Sequence, residues 1–281
     1  MKEFFLEEKG LYFRTNDFAS NRKTLVFIHG VSGSSSAWVA YEKEFENDYN
    51  IIFFDFRGHG KSVKYKNYND YAIDKFSDDI EYLLDYLKVK KCVLISHSFG
   101  VFPTLRFIEK NKDKIDGVVF ISSYFALSKM KSAMFAKILF RFGILLTDLT
   151  NKTKNLFLKS DNQKKLKIGK HLDYSRYKGS GDWNVRRTIA DVSNTSLPVF
   201  LYTTLNAYNF DGESVLDKID FPVVMIHGKK DTIIPLKYGI SMSNKIKTAK
   251  LFILKDIDHI VVLNKPKEVL EIIKSFMKEL K

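Results

Sequence analysis

The stretch that decides the fold is KCVLISHSFGVFPTLRFIEK, residues 91–110. It begins with KCVLIS, a short β-branched run typical of a strand that is buried on both faces. It ends with VFPTLRFIEK, a helical pattern in which Pro103 lies in the first turn, where backbone N–H groups lack intrahelical partners anyway. The SHSFG segment between the two predicts a sharp turn from strand to helix, centred on Ser98.

A turn of this kind is the setting of a nucleophile elbow. Its central residue takes a strained backbone conformation that lifts the side chain over the end of the sheet. The residues two before and two after it come close together, so both must be small. Ser98 is therefore the predicted nucleophile, whereas Ser96 meets a steric demand, with slight crowding or a local hydrogen bond. Taken alone, the pentapeptide fits a solvated turn equally well.

Further short runs resemble strands buried on both faces, and helical patterns such as DKFSDDIEYLLDYLKV lie between them. This alternation predicts an α/β fold with a mostly parallel, doubly wound sheet. Near the start, FFLEEKGLYFRT predicts a hairpin that turns at Lys9 and Gly10 and forms an antiparallel edge of the sheet. The further runs are TLVFIHG (24–30), IIFFDF (51–56), GVVFISS (117–123), PVVMIHG (222–228) and KLFILKD (250–256).

The alternation of strands and helices stops after Ser123 and resumes near Phe221. The intervening sequence has a helical, lysine-rich pattern without clear buried strands. We therefore predict that residues 1–123 and 213–281 form the α/β core, and that residues 124–212 form a helical cap inserted into it.

Charge is concentrated in the predicted cap. The 281-residue chain has a net charge of +13, and residues 124–212 contain fifteen Lys and Arg against six Asp and Glu, a net +9. The simpler interpretation is a lysine-biased composition that maintains solubility; an anionic surface is the alternative partner, and no nucleic acid is expected. Cys92 is the only cysteine, which excludes an intrachain disulfide, and its apolar surroundings predict a buried strand residue. The N-terminal sequence, interrupted by charges, predicts neither a signal peptide nor a membrane span, and the expected location is the cytoplasm.

A serine hydroxyl needs a base to take its proton and an acid to orient that base. Of the six histidines, His259 is the best-placed base, because it lies on a loop after the last strand, at the carboxyl edge of the sheet. His97 follows a strand directly and should point away from Ser98. The others have no catalytic signature: three lie in HG or GHG turns, where backbone placement explains them, and one lies in the cap without a motif (His29, His59, His227 and His171).

Asp231 is the leading acid, because HGKKDTIIP places it just after a strand at the same edge. A turn or N-cap role is the simpler interpretation of such an aspartate. Asp256 and Asp258 are the alternatives. Asp258 adjoins His259, however, and neighbouring residues rarely present their side chains face to face.

Together these motifs make the chain resemble the α/β-hydrolase superfamily. HGVSGSSSAW (29–38) is similar to its oxyanion loop, and DFRGHGKS (55–62) to its D-x-R-G-x-G-x-S turn. The order Ser98, Asp231, His259 is the usual order of the catalytic residues in that superfamily. The insertion matches its helical cap only loosely. Two departures from the pattern are Ser96 and Asp258, which stand where glycine is usual.

The resemblance implies a role for each matching residue. Ser98 would be the nucleophile, His259 the general base and acid, and Asp231 the residue that orients it. The backbone N–H groups of Val31 and Phe99 would form the oxyanion hole, and neither a cofactor nor a metal ion is expected. A serine at the elbow argues against dehalogenases and epoxide hydrolases, which use an aspartate there. A nucleotide-binding loop at RGHGKS is also rejected, because the pattern needs glycine at Asp55.

The cap sequence MFAKILFRFGILL (134–146) places Lys137 and Arg141 four residues apart among apolar residues. On a helix this gives a basic strip beside a wide apolar face. Such a helix either packs on the core with its charges solvated, or forms a lid that touches an acyl chain or an anionic membrane. The expected activity is hydrolysis of carboxylic esters, with short-to-medium acyl or monoacylglycerol-like substrates. Thioester or C–C bond hydrolysis, acyl transfer, and a non-catalytic interaction module remain open, as does the oligomeric state.

Overall fold

A computed structural model describes residues 1–157, 169–177, 179 and 181–280. Within this part of the chain, an eight-stranded sheet has the order β1-β2-β4-β3-β5-β6-β7-β8. The pairs β1–β2 and β2–β4 are antiparallel, and every other pair is parallel. The strands are β1 Lys2–Leu6, β2 Leu11–Thr15, β3 Thr24–Ile28, β4 Asn50–Phe54, β5 Cys92–His97, β6 Ile115–Ile121, β7 Val223–Gly228 and β8 Ala249–Leu254. The predicted mostly parallel α/β fold is confirmed.

The described α-helices are α1 Val39–Phe45, α2 Ile73–Tyr86, α3 Val101–Asn111, α4 Ala133–Phe157, α5 Val185–Thr195, α6 Leu197–Asn209, α7 Glu213–Leu216, α8 Leu236–Ser243, α9 Val261–Asn264 and α10 Pro266–Glu279. None of them combines the length and apolar character needed to cross a bilayer. The helices α4, α5 and α6 fall in the segment between β6 and β7, where a helical insertion was predicted. Its boundaries at residues 124 and 212 stay a prediction.

Helices cover both faces of the sheet, which explains the continuous apolar runs of its central strands. In β3, Val26 and Ile28 pack with α2 and α3, while Leu25 and Phe27 pack with α1 and α10 on the opposite face. Successive side chains of a strand point to opposite faces, so a strand covered on both sides needs apolar residues at every position. Cys92 at the start of β5 is buried, as predicted, and burial raises the pKa of its thiol.

The two edges of the sheet differ in how well the sequence predicts them. The N-terminal hairpin is confirmed: β1 and β2 pair from Lys2 opposite Thr15 to Leu6 opposite Leu11, and Gly10 ends the turn at φ 60. The prediction for the last strand is wrong, because β8 is not buried on both faces. Among the strands of the described residues it pairs with β7 alone, and its Phe252 and Ile253 are exposed. An apolar run does not reveal whether a strand lies at the edge or at the centre.

Candidate active site

Ser98 occupies the strained turn that the sequence predicts. It directly follows β5, its backbone lies in the left-handed region at φ 51, and a short 3-10 turn, Ser98–Gly100, leads into α3. Such a conformation in a residue other than glycine costs about 1–3 kcal/mol and persists only where the surrounding structure imposes it. The strain lifts the Ser98 side chain clear of the strand end.

The two flanking positions of the turn are closely packed. A Cβ atom at Gly100 would lie 2.8 Å from Ile28 Cγ2 and 2.9 Å from the His29 carbonyl oxygen. Ser96 lies inside the sheet, opposite Ile28 on β3 and Phe120 on β6. Its buried Oγ has no hydrogen-bond partner in the described part of the chain, so the local bond considered above is not formed.

Three buried side chains form one hydrogen-bonded chain at the carboxyl edge of the sheet. The Ser98 hydroxyl donates to His259 Nε2 over 2.7 Å, and His259 Nδ1–H donates to Asp231 Oδ2 over 2.8 Å. These residues follow β5, β8 and β7. The alternative acids bond elsewhere: Asp256 pairs with Lys230 at the surface, and Asp258 Oδ1 accepts from the Ile260 N–H and from Asn264. An imidazole whose Nδ1–H is held by a carboxylate has Nε2 free to take the proton of the serine.

Asp231 is held as an anion. Burial by itself raises the pKa of Asp231, but the charge on His259 and hydrogen bonds from His227, His259 and the Ile234 N–H together lower it below its usual value. Asp231 Oδ1 accepts from the backbone N–H groups of Ile233 and Ile234, at 3.0 and 2.7 Å. These donors leave Oδ2 for the imidazole, which fixes the orientation of the carboxylate.

Two further histidines support this hydrogen-bonded chain, although the sequence predicts no such role for either of them. His227 Nε2 donates to the Ile234 carbonyl over 2.8 Å and lies 3.3 Å from Asp231 Oδ2, so turn geometry alone does not explain it. His97 Nε2 donates to the His259 backbone carbonyl over 3.1 Å. Burial, followed by the charge of His259, lowers the pKa of His97 to about 3, so His97 is neutral near pH 7. The only sequence signal for these contacts is that both histidines lie at the carboxyl ends of predicted parallel strands.

Asp182 is a buried carboxylate that the sequence did not single out. Its Oδ1 accepts from the backbone N–H of His259 over 2.7 Å. Its Oδ2 accepts from both the N–H and the hydroxyl of Thr232, at 2.9 and 2.7 Å. Thr232 adjoins Asp231, so one side chain from the segment before α5 bonds both loops that carry Asp231 and His259. Arg187 in turn donates to the Asp182 carbonyl over 2.7 Å.

Asp55 is a second buried carboxylate that hydrogen-bonds the segment between β6 and β7 to the rest of the protein. The buried carboxylate of Asp55 accepts from the N–H groups of Ser35 and Lys61, at 2.6 and 2.8 Å. His171, which had no sequence motif, donates to it from Nε2 over 2.7 Å. A Cβ atom at Gly60 would lie 2.2 Å from Asp55 Oδ2, so this turn closes around the carboxylate and requires glycine there.

Ser98 opens into a cavity of about 370 Å³. Val31 and Phe99, the predicted oxyanion-hole residues, both line it, and Phe99 lies in the 3-10 turn that leads into α3. Apolar side chains make up most of the remaining wall: Phe102, Leu127, Phe140, Val192, Phe200, Ala207, Ile233, Val262 and Leu263. No group of three or more metal-binding side chains comes together within the described residues.

Tyr174, Arg187 and Asp191 form a polar cluster in the cavity wall. Tyr174 donates its hydroxyl to Asp191 Oδ1 over 3.1 Å, and Arg187 Nε lies 3.9 Å from Asp191 Oδ2. Burial raises the pKa of Asp191 to about 6, although the Tyr174 hydrogen bond and the Arg187 charge act in the opposite direction. Asp191 is thus a carboxyl group that changes its charge close to neutral pH inside the cavity.

The family model described as alpha/beta hydrolase fold matches residues 23–266. The chain belongs to the α/β-hydrolase family. A relative named epoxide hydrolase 1, from Caenorhabditis elegans, is 22% identical over 268 residues, which cover 92% of this α/β hydrolase and 66% of the worm protein, just under two thirds of its length.

Solved structures share the fold of this α/β hydrolase along nearly its whole length. MGS-M2, an alpha/beta hydrolase from a Medee basin deep-sea metagenome library, has a TM-score of 0.75 at 18% identity, covering 99% of this chain and 97% of its own. A thermophilic esterase from Thermogutta terrifontis has a TM-score of 0.72 at 17% identity, covering 96% and 93%. At these identities the likeness shows the fold alone.

The two flanks of the turn should respond differently to an added or removed atom. Gly100→Ala should lower the free energy of unfolding by about 1–3 kcal/mol, because its methyl group overlaps Ile28 and the His29 carbonyl. Ser96→Ala removes a buried hydroxyl without a hydrogen-bond partner and should change the free energy of unfolding by less than about 1 kcal/mol. Urea unfolding of both variants provides the comparison. Equal losses would contradict the packing described for Ser96.

Replacing Asp182 should disturb the position of His259 more than replacing Thr232, the other residue that donates hydrogen bonds to Asp182. In Asp182→Asn, an amide N–H group faces either the His259 N–H or Thr232, so one of these bonds is lost. We expect the free energy of unfolding to fall by about 1–3 kcal/mol and the reaction of Ser98 with a fluorophosphonate to slow roughly tenfold or more. Thr232→Val keeps the His259 bond and should slow labelling less than about threefold. Equal rates for the two variants would contradict the positioning role.

Asp191 should make stability fall as pH rises. Its carboxyl pKa is about 6 in the folded chain, against 3.8 for an ordinary aspartate, so the folded state holds the proton more tightly. The unfolding free energy of the native sequence, relative to Asp191→Asn, should therefore drop by about 2 kcal/mol between pH 4 and pH 6.5 and then level off. Urea unfolding of both proteins across this range measures the difference. A constant difference would show that Asp191 has an ordinary pKa.

Proposed function

We propose that this α/β hydrolase is a serine hydrolase that cleaves carboxylic esters, with short-to-medium acyl or monoacylglycerol-like substrates. The observation that carries the proposal is the continuous hydrogen-bonded chain from Ser98 through His259 to Asp231, at the wall of an apolar cavity. A binding module has no need of all three groups in this arrangement, which favours turnover over the non-catalytic alternative. The cytoplasm remains the proposed location.

In the proposed reaction, Ser98 Oγ attacks the ester carbonyl carbon while His259 Nε2 takes the hydroxyl proton. The tetrahedral intermediate collapses as the ester C–O bond breaks, and His259 gives its proton to the departing alcohol oxygen. Water then loses a proton to His259, attacks the acyl-enzyme and releases the carboxylic acid. Ser98 recovers its proton from His259, so the cycle closes without another reactant.

Negative charge develops on the carbonyl oxygen only in the transition state, and we assign its stabilisation to the backbone N–H groups of Val31 and Phe99. Both residues line the cavity beside Ser98, which supports the assignment. Loss of one such donor typically costs about 3 kcal/mol of transition-state stabilisation. Because the donors belong to the backbone, the side chains of the two residues remain available to contact the acyl group.

The charge held on Asp231 suits the role of orienting the base. An anionic carboxylate at His259 Nδ1 fixes the tautomer that leaves Nε2 open toward Ser98, and it stabilises the imidazolium formed in each half-reaction. The serine at the elbow separates this proposal from epoxide opening by an aspartate nucleophile, despite the name of the worm relative. Thioester or C–C bond hydrolysis and acyl transfer would use the same three residues.

Labelling with a fluorophosphonate tests the proposal, followed by turnover of a p-nitrophenyl ester chain-length series. The native chain should label and should hydrolyse at least one ester, and Ser98→Ala should abolish both. Ser96→Ala is the matched control and should retain both. Asp231→Asn should lower kcat by as much as about 10⁴-fold, by analogy with serine proteases, because it favours the wrong His259 tautomer. A native chain that neither labels nor turns over any ester would refute the proposal.

A further inference from the structure

The helix α4 has two apolar faces, of which only one is covered. On the inner face, Phe140 packs against Phe200 and Tyr208, with ring centroids 6.1 and 5.8 Å apart, and lines the cavity. Gly143 lies on the same face, where an added Cβ atom would meet the Leu201 side chain at 3.2 Å. These contacts fix which side of α4 faces the rest of the protein.

The opposite face of α4 presents large apolar side chains to solvent. Eight of them are between 46% and 77% exposed and recur at helical spacing, so they form a single stripe: Met134, Phe135, Ile138, Leu139, Phe142, Leu145, Leu146 and Leu149. Scattered exposed apolar residues are normal, but a contiguous set of this kind marks an interaction surface. We name these eight residues the outer stripe.

Basic residues border the outer stripe. Lys137 and Arg141 lie one turn apart along one edge of it, and neither forms an ion pair with a described residue; Lys131 is exposed just before the helix. Counted along the sequence, the segment 124–212 that contains α4 carries a net charge of +9. The described part of this segment holds twelve of the twenty large hydrophobic side chains that are exposed in the described chain, so the most apolar exposure falls in a segment of basic sequence.

We propose that the outer stripe docks on the surface of an anionic lipid bilayer. A helix with large apolar side chains and flanking basic residues can lie in the interface, with the apolar groups at the acyl boundary and the cations among the head groups. Charge favours lipid over a second copy of the chain, since two copies would bring like charges together. The proposal goes beyond ester hydrolysis, because docking requires no turnover. It places the helix that lines the cavity against the lipid.

Vesicle cosedimentation tests the docking surface directly. The native chain should bind phosphatidylcholine–phosphatidylglycerol (1:1) vesicles at least about tenfold more tightly than pure phosphatidylcholine vesicles, and less tightly as NaCl rises from 50 to 500 mM. Leu139→Ser/Phe142→Ser should weaken binding to the anionic vesicles by roughly tenfold or more, because it removes apolar contact. Lys137→Glu/Arg141→Glu should abolish the preference for anionic lipid.

Matched control variants carry the same changes outside the helix. Val39→Ser/Ile240→Ser removes exposed apolar side chains from α1 and α8, and Lys43→Glu/Lys267→Glu makes the same change in net charge. Both should bind vesicles like the native chain, and thermal unfolding should show all four variants folded. These variants lie outside the proposed catalytic machinery, so docking is measured independently of turnover.

The proposal is overturned if the native chain binds neither vesicle, if it binds both equally, or if the controls lose binding as strongly as the α4 variants. Sedimentation velocity tests whether a second copy of the chain, rather than lipid, covers the outer stripe. A native dimer that becomes monomeric on Leu139→Ser/Phe142→Ser, without vesicle binding, would identify a second copy of the chain as the partner. A monomer that binds anionic vesicles through the outer stripe supports the proposal.

Discussion

The left-handed backbone of Ser98 is the constraint around which the sheet and the candidate site are arranged. Serine has no intrinsic preference for this region, so the neighbouring structure must hold it there. β5 does so from the middle of the sheet, between β3 and β6, with α3 starting immediately after the turn. Gly100 lets the turn approach β3, because a Cβ atom there would overlap Ile28 and the His29 carbonyl. The hydroxyl consequently stands at the edge to which β7 and β8 deliver Asp231 and His259.

Two buried carboxylates then connect this edge to the segment between β6 and β7. Asp182 comes from that segment and bonds the loops that carry Asp231 and His259, whereas Asp55 directly follows β4 and accepts a hydrogen bond from His171 of the segment. In each case one carboxylate accepts three hydrogen bonds, which offsets the cost of its burial. The alignment of Ser98 and His259 therefore depends on residues that a separate sheet core would lack.

The sequence predicts what local patterns encode. The strand runs, the hairpin at Gly10 and the small residues around Ser98 each follow from a few consecutive residues, and the structure has all three. The contacts of Asp182 and His97 join positions remote along the chain, and no periodicity or turn preference signals them. The exposed edge at β8 was missed for the same reason, because the number of neighbours of a strand is a property of the whole sheet.

The difference between local pattern and tertiary contact also applies to α4. From its sequence this helix either packs on the core with its charges solvated or forms a lid that touches an acyl chain or an anionic membrane. Helical spacing predicts a basic strip and an apolar face, but it does not say which face the protein covers. Packing of Phe140 and Gly143 assigns the inner side, and the outer stripe is what remains. Solvated basic residues near such a stripe keep the chain in solution, and they also attract anionic head groups. Their charge alone is therefore compatible both with a solubilising role and with membrane docking. The decisive feature is position: apolar exposure and positive charge share one helix, whose other side lines the cavity beside Ser98.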